Sequence, residues 1–160
     1  ELNIPAGVRD GMALTMRGAG NAGKRGGPTG DLVIEVEEKP HELFERDGDN
    51  IIYDLVVSIP DATLGANVEV PTLDGKARFK VEPGTQGGKM FRLKGKGLPD
   101  VNGYRRGDQL IHINVFTPQT LTSEEKKILE KLRNSPNFTP DPGKPREKGF
   151  LNRMKDFFGS

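Results

Sequence analysis

GVRDGMALTMRGAGNAGKRGGPTGDLVIEV (residues 7–36) and GTQGGKMFRLKGKGLPDVNGYRRGDQLIHI (residues 84–113) are two versions of one pattern, and their alignment decides the fold. Gly7, Gly11, Gly18, Gly20, Gly30 and Asp31 stand against Gly84, Gly88, Gly95, Gly97, Gly107 and Asp108, each pair 77 positions apart. Apolar positions keep the same displacement: Leu14 with Phe91, Met16 with Leu93, Ile34 with Ile111 and Val36 with Ile113. Identities held in register without a gap indicate a duplicated unit. Glycine recurs where a turn needs positive φ or where two backbones approach closely. The segments between the glycines alternate as half-buried strands do. Leu32, Ile34 and Val36 share one face against Glu35 and Glu37; Ile111, Ile113 and Val115 share one against His112 and Asn114.

Outward from the repeat, Ile51, Tyr53, Leu55, Val57 and Ile59 alternate as an amphipathic strand. Residues 68–73 and 76–81 flank Asp74-Gly75, a strong hairpin signal. In that hairpin Ala77, Phe79 and Val81 are expected to face inward and Lys76, Arg78 and Lys80 outward. These strands precede the second copy, so their counterparts in the first are expected before Glu1, leaving residues 1 to about 42 as a truncated unit. After Pro118 the period changes. Thr122-Ser123-Glu124-Glu125 is a capping box, and Ile128, Leu129 and Leu132 mark one helical face up to about Arg133. A Pro- and charge-rich stretch then leads to Phe150, Leu151, Met154, Phe157 and Phe158, spaced as the apolar stripe of a two-turn helix. Such a helix is unstable alone in water; its own domain, a second subunit or a membrane could each cover it.

The reading is an all-β chain of two consecutive related β-sandwich units, the first truncated at its N-terminus, followed by a short C-terminal helix and tail. The boundaries are residues 1–42 for the end of the first β-domain, 43–118 for the second, 119–134 for the helix, 135–149 for a linker and 150–160 for an amphipathic tail helix.

Composition narrows the function. Hydrophobic residues make up 33% of the 160, and 21 Gly with 12 Pro favour short strands and many turns over long helices. Basic and acidic residues nearly cancel at 24 and 23, which argues against a nonspecific nucleic-acid binder. Lys94, Lys96, Arg105 and Arg106 read as solvated loop tips without interleaved aromatics. No cysteine is present, which excludes disulfides, thiolate zinc ligands and a thiol nucleophile and is consistent with a reducing, cytoplasmic compartment. No apolar run approaches the ~18 residues of a membrane span.

Motifs for catalysis fail on inspection. Gly18-Ala19-Gly20-Asn21-Ala22-Gly23 fits the dinucleotide fingerprint literally, yet Lys24-Arg25-Gly26-Gly27-Pro28 cannot start the helix that a pyrophosphate needs. Asp31 and Asp108, each after a glycine and before a strand, suit local turn-tying through backbone hydrogen bonds. His41 and His112, the two imidazoles, form no metal constellation. No serine has a nucleophile-elbow context. Neither a catalytic residue nor a metal ligand is assigned, and the chain is read as no enzyme.

Ile4-Pro5-Ala6-Gly7-Val8-Arg9-Asp10-Gly11, Arg17-Gly18-Ala19-Gly20 and Gly30-Asp31-Leu32 resemble the segment after the zinc module in the first carboxy-terminal β-domain of DnaJ-type co-chaperones. Residues 41–49 resemble that family's junction between β-domains; Ala62-Thr63-Leu64-Gly65-Ala66, Val70-Pro71-Thr72-Leu73-Asp74-Gly75 and Arg92-Leu93-Lys94-Gly95-Lys96-Gly97 resemble its second β-domain. Residues 150–158 resemble the tail of bacterial members. The sequence has no His-Pro-Asp tripeptide and no Cys-x-x-Cys, so the J domain and the zinc-binding domain of the family are not in it. No cofactor is expected in this chain; zinc would belong to the missing domain.

The resemblance implies a heat-shock, stress-response co-chaperone that binds exposed apolar stretches of unfolded polypeptides and passes them to a DnaK-type chaperone, with no nucleic-acid or membrane partner. It implies client binding by strand addition on the first β-domain, with Leu2, Ile4, Leu32, Ile34 and Val36 as the candidate residues. It also implies a homodimer through the carboxy-terminal end, with Ile128, Leu129, Leu132, Phe150, Leu151, Met154, Phe157 and Phe158 as candidates. The alternative is a β-rich scaffold or interaction module without a client groove.

Overall fold

The computed structural model describes residues 2–101 and 103–140. In chain order the strands are β1 (Ala13–Met16), β2 (Leu32–Glu35), β3 (Glu45–Asp47), β4 (Asn50–Ser58), β5 (Ala66–Thr72), β6 (Gly75–Val81), β7 (Met90–Leu93) and β8 (Gln109–Phe116). Two helices interrupt them, α1 (Ile59–Leu64) and α2 (Ser123–Arg133), with single 3-10 turns at Lys24–Gly26 and Pro136–Phe138. β1 and β2 form a two-stranded sheet, β3-β4-β8-β7 a four-stranded one, and β5-β6 a hairpin. The fold is all-β, as the alternation and glycine content predict.

The 77-residue repeat is a repeat of structure. β1 displaced by 77 is β7, and the antiparallel register of the two copies coincides: Leu14 faces Ile34 as Phe91 faces Ile111. Gly18 and Gly95 both turn with positive φ, 67° and 68°. In each copy the aspartate holds that turn, Asp31 Oδ1 accepting from Gly18 N at 2.9 Å and Asp108 Oδ1 from Gly95 N at 2.7 Å. Beyond the ladders Gly11 N donates to Val36 O and Gly88 N to Ile113 O. The conserved spacing in the sequence is therefore the spacing of a hydrogen-bonded hairpin.

By contacts the chain divides into two compact units, one built from residues 2–55, 68–79 and 90–112, the other from 56–67, 80–89 and 113–140. In the first, Ile51, Leu55, Val70, Phe79, Leu110 and Ile111 are buried. Phe79 on β6 packs edge-on against Phe91 on β7, ring centroids 5.1 Å apart, so the hairpin lies over the four-stranded sheet as a second layer. Gln109 is buried there as well, its Nε2 donating to Pro71 O at 2.8 Å. Asp108 N donates to Asn50 Oδ1, and His112 Nδ1 lies 2.7 Å from Asp54 Oδ1. Both pairs are 58 residues apart; an unchanged offset means that β4 and β8 run parallel.

The second unit buries Val57, Ala62, Val81, Thr85 and Ile113. Thr85 N donates to Ala62 O at 3.0 Å and its hydroxyl to Glu82 O at 2.6 Å, which satisfies a polar side chain that is 5% exposed. The capping box is formed: Glu125 N donates to Thr122 Oγ1, and Thr122 N to Glu125 Oε2 at 2.7 Å.

Two sequence expectations are corrected. Ile59 does not extend the β4 alternation but opens α1, because Pro60 has no N–H for a ladder and Ser58 Oγ accepts from Asp61 N at 3.1 Å as a cap. The β5–β6 turn falls on Leu73 and Asp74, one residue early, with Gly75 already the first residue of β6.

Candidate functional site

The strand β2 is exposed where its duplicate is not. Leu32 is 42% and Val33 63% exposed, and Ile34 and Val36 are half-buried. The same positions in the second copy, Gln109, Leu110, Ile111 and Ile113, are at most 2% exposed. The sheet topology gives the cause. β8 lies between β7 and β4, whereas β2 pairs only with β1 among the described residues.

Leu2 and Ile4, the other two candidates named with β2, lie outside it. Residues 2–5 belong to no strand, so these side chains stand on irregular chain. Leu2 is half-buried and Ile4 is 57% exposed. Val33, on the face that the alternation assigns to solvent, is the most exposed apolar residue of β2. Only the burial contrast between the copies reveals it.

The loop leading into this hairpin is tied down by Arg46. Its Nη1 donates to Val8 O at 2.9 Å and to Glu38 Oε2 at 2.7 Å, its Nη2 to Gly7 O at 3.0 Å and its Nε to Gly48 O at 2.8 Å. Gly7 has φ +88° and lies so close to Pro99 O that a Cβ would stand 2.1 Å from it. No other residue fits there. Beside this joint Arg9 pairs with Asp49 at 2.8 Å. The resemblance drew attention to Arg46 as part of a junction, but its hydrogen bonds carried no sequence signal.

The second unit holds an apolar groove of about 440 Å³ lined by α1, the end of β8 and α2. Leu64, Phe116, Leu121 and Phe138 line it together with Ile128, Leu129 and Leu132, the three α2 residues singled out in the sequence. The other five dimerisation candidates, Phe150, Leu151, Met154, Phe157 and Phe158, lie outside the described residues. Sequence reasoning missed the groove because it missed α1; Ser58-Ile59-Pro60-Asp61, a cap before a proline, is the signal that could have found it. At its margin the Thr122 amide, and then the Thr122 hydroxyl, hold the Glu125 carboxyl below the usual carboxylate range.

No α-helix follows Gly18–Gly23, only the 3-10 turn at Lys24–Gly26, so the fingerprint lacks the N-terminus it needs. Among the described residues no group of three His, Asp or Glu could hold a metal ion, and no helix is long and apolar enough to cross a membrane.

Residues 1–118 match the family described as DnaJ C terminal domain. The chain belongs to that family. Similar proteins include the Chaperone protein DnaJ of Salinibacter ruber, 53% identical over 158 residues, which covers 98% of this chain and 41% of the relative. That of Bacteroides fragilis is 55% identical over 139 residues, 87% of this chain and 35% of the relative. That of Chlorobium luteolum is 46% identical over 160 residues, 99% and 42%. The chain thus spans roughly two-fifths of the length of these relatives. The sequence contains no cysteine.

Proposed function

We propose that this chain is the client-holding part of a DnaJ-type co-chaperone: it binds exposed apolar segments of unfolded polypeptides, which a DnaK-type chaperone then receives, and it catalyses nothing. The observation that carries the reading is the match of residues 1–118 to the DnaJ C terminal domain family. A client strand adds to the β2 edge through main-chain hydrogen bonds, which need no particular sequence. Leu2, Ile4, Leu32, Ile34 and Val36 offer apolar contacts for its alternate side chains. In this reading residues 1–42 are the end of a first β-domain and 43–118 a second, in a cytoplasmic protein with no nucleic-acid or membrane partner. The names of the relatives support the chaperone role.

The test is suppression of aggregation of a chemically denatured model protein at near-stoichiometric ratios. Leu32→Asp together with Ile4→Asp should abolish protection at a temperature below the variant's own unfolding midpoint, Ile4 being 57% and Leu32 42% exposed. A chain that never protects is a scaffold and not a holdase, and one that protects equally well with both aspartates does not hold clients at Leu32 and Ile4.

Dimerisation belongs to the same proposal. Ile128, Leu129 and Leu132 on α2, with the stripe Phe150, Leu151, Met154, Phe157 and Phe158, supply the apolar surface, and pairing two modest client edges raises their joint affinity through effective concentration. Phe157→Asp with Phe158→Asp should yield monomers at every concentration, because dimerisation would bury unpaired charge; an unchanged dimer in sedimentation refutes the assignment.

A further inference from the structure

We propose that the β1–β2 hairpin is locked, not hinged, to the β7–β8 hairpin, and that Gly7 is the residue that makes the lock. The covalent connection between the two copies would not do this. Residues 37–43 are exposed and belong to no helix or strand, so as a tether alone they would let the first hairpin swivel.

Residues 7–9 remove that freedom by clasping the second copy. On one side Gly7 lies against the loop between β7 and β8, so close that a Cβ would overlap Pro99 O and stand 3.1 Å from Val101 N. On the other side Arg46 takes the Gly7 and Val8 carbonyls at 3.0 and 2.9 Å. The same guanidinium donates to Glu38 Oε2 at 2.7 Å, and Glu38 N donates to Asp10 Oδ1 at 2.8 Å, so the start of the connection is fastened to the clasp as well. The turn after β3 is itself seated on the second copy: Leu98 N donates to Asp49 O at 2.8 Å, and Gly97 and Gly107 stand where a Cβ would overlap that carbonyl. Two points of attachment leave one axis of rotation, and a third point off that axis removes it. Backbone packed this closely on backbone does not give way gradually. The exposed Arg9–Asp49 pair adds little.

The repeat supplies its own comparison. Gly84 is the duplicate of Gly7 and has nearly the same positive φ, +76° against +88°, yet a Cβ there meets nothing within 4 Å. Positive φ is thus demanded by the turn in both copies, whereas contact with another backbone is demanded in the first alone. The consequence is that β2 is carried at a fixed angle to the β7–β8 hairpin, and whatever displaces one hairpin moves the other instead of being absorbed by a linker. The lock is a property of the free chain and holds whether or not β2 takes clients.

Residual dipolar couplings of backbone amides test the lock in the full chain, because two hairpins that move as one share a single alignment tensor. Amides of residues 11–18 and 30–36 should fit the same tensor, with the same magnitude, as those of residues 90–97 and 107–112. In Gly7→Ala the added Cβ pushes Pro99 away, and the first hairpin should lose alignment magnitude relative to the second. Gly84→Ala carries the strain of positive φ without the overlap, and its hairpins should keep one tensor. If Gly7→Ala does not fold, Arg46→Ala takes its place with the same loss expected. Unequal tensors in the unmodified chain, a single tensor in the Gly7 variant or its Arg46 substitute, or an equal loss in Gly84→Ala would each overturn the lock.

Discussion

Replacing Arg46 on β3 by Ala should cost measurable stability, and the hydrogen bonds say how much. The guanidinium is 17% exposed and spends its donors on the carbonyls of Val8, Gly7 and Gly48 and on Glu38. Bonds from a charged donor contribute roughly 1.5–3 kcal/mol each, but the Gly48 and Glu38 contacts are solvent-exposed and are discounted toward zero. The two part-buried bonds to Val8 and Gly7 then give about 3–6 kcal/mol. Roughly 2 kcal/mol of freed rotamer entropy offsets this, leaving a loss of about 1–4 kcal/mol. For a chain of this size each kcal/mol lowers the midpoint by about 2–4 °C, so thermal unfolding should fall by about 2–16 °C. Arg9→Ala is the control. Its pair with Asp49 is 54% and 31% exposed, and surface pairs contribute about 0–1 kcal/mol. Arg46→Lys should not restore the wild-type midpoint, because an ammonium cannot address carbonyls on both sides at once. If chemical denaturation gave Arg46→Ala and Arg9→Ala the same midpoint, the joint would not be held by Arg46.

Gly95→Ala should destabilise by about 1–2 kcal/mol through backbone strain alone, since φ is +68° and a Cβ there meets open space; an unchanged denaturation midpoint would show that the turn can relax. Ile111→Ala should cost about 2–5 kcal/mol by leaving a cavity in a fully buried site, whereas Ile34→Ala, its half-buried duplicate, should cost clearly less; equal losses in urea titrations would contradict the burial contrast. For Glu125 the folded carboxyl is held below its unfolded value, so its contribution is present above the unfolded pKa and lost as pH falls through the folded one. The helical signal of α2 should therefore weaken on acidification below about pH 4.5, and Glu125→Gln should flatten that dependence in circular dichroism.

The duplication was legible because it is written in residues that have no substitute. A turn at φ near +67° calls for Gly18 and Gly95, and a carboxylate placed to receive their amides calls for Asp31 and Asp108. The alternation of β4 and β6 and the Thr122 cap were legible for the same reason, each being a local rule visible within a few residues. What the sequence concealed depends on distant partners. Arg46 meets Gly7 and Val8 across more than thirty-five positions, and no pattern in a charged loop announces which arginine will be satisfied by carbonyls. The groove was hidden one step further back, since its far wall is α1, whose first residue, Ile59, alternation absorbed into the preceding strand.

The candidate site shows a limit of a different kind. Leu32 and Gln109 occupy one position of the repeat, and from side-chain chemistry alone the leucine belongs in a core and the glutamine at a surface. The structure reverses them: Gln109 is buried and donates to Pro71 O, while Leu32 is 42% exposed. Burial here follows from which strands lie alongside, β4 and β7 in one copy and β1 in the other, rather than from the residue itself. Two hairpins of the same register thus differ in burial. In the second copy neighbouring strands fill the positions on both sides of β8, which contributes to a core. In the first, β2 has β1 alone beside it among the described residues, and its leucine stays exposed where the buried copy holds an amide.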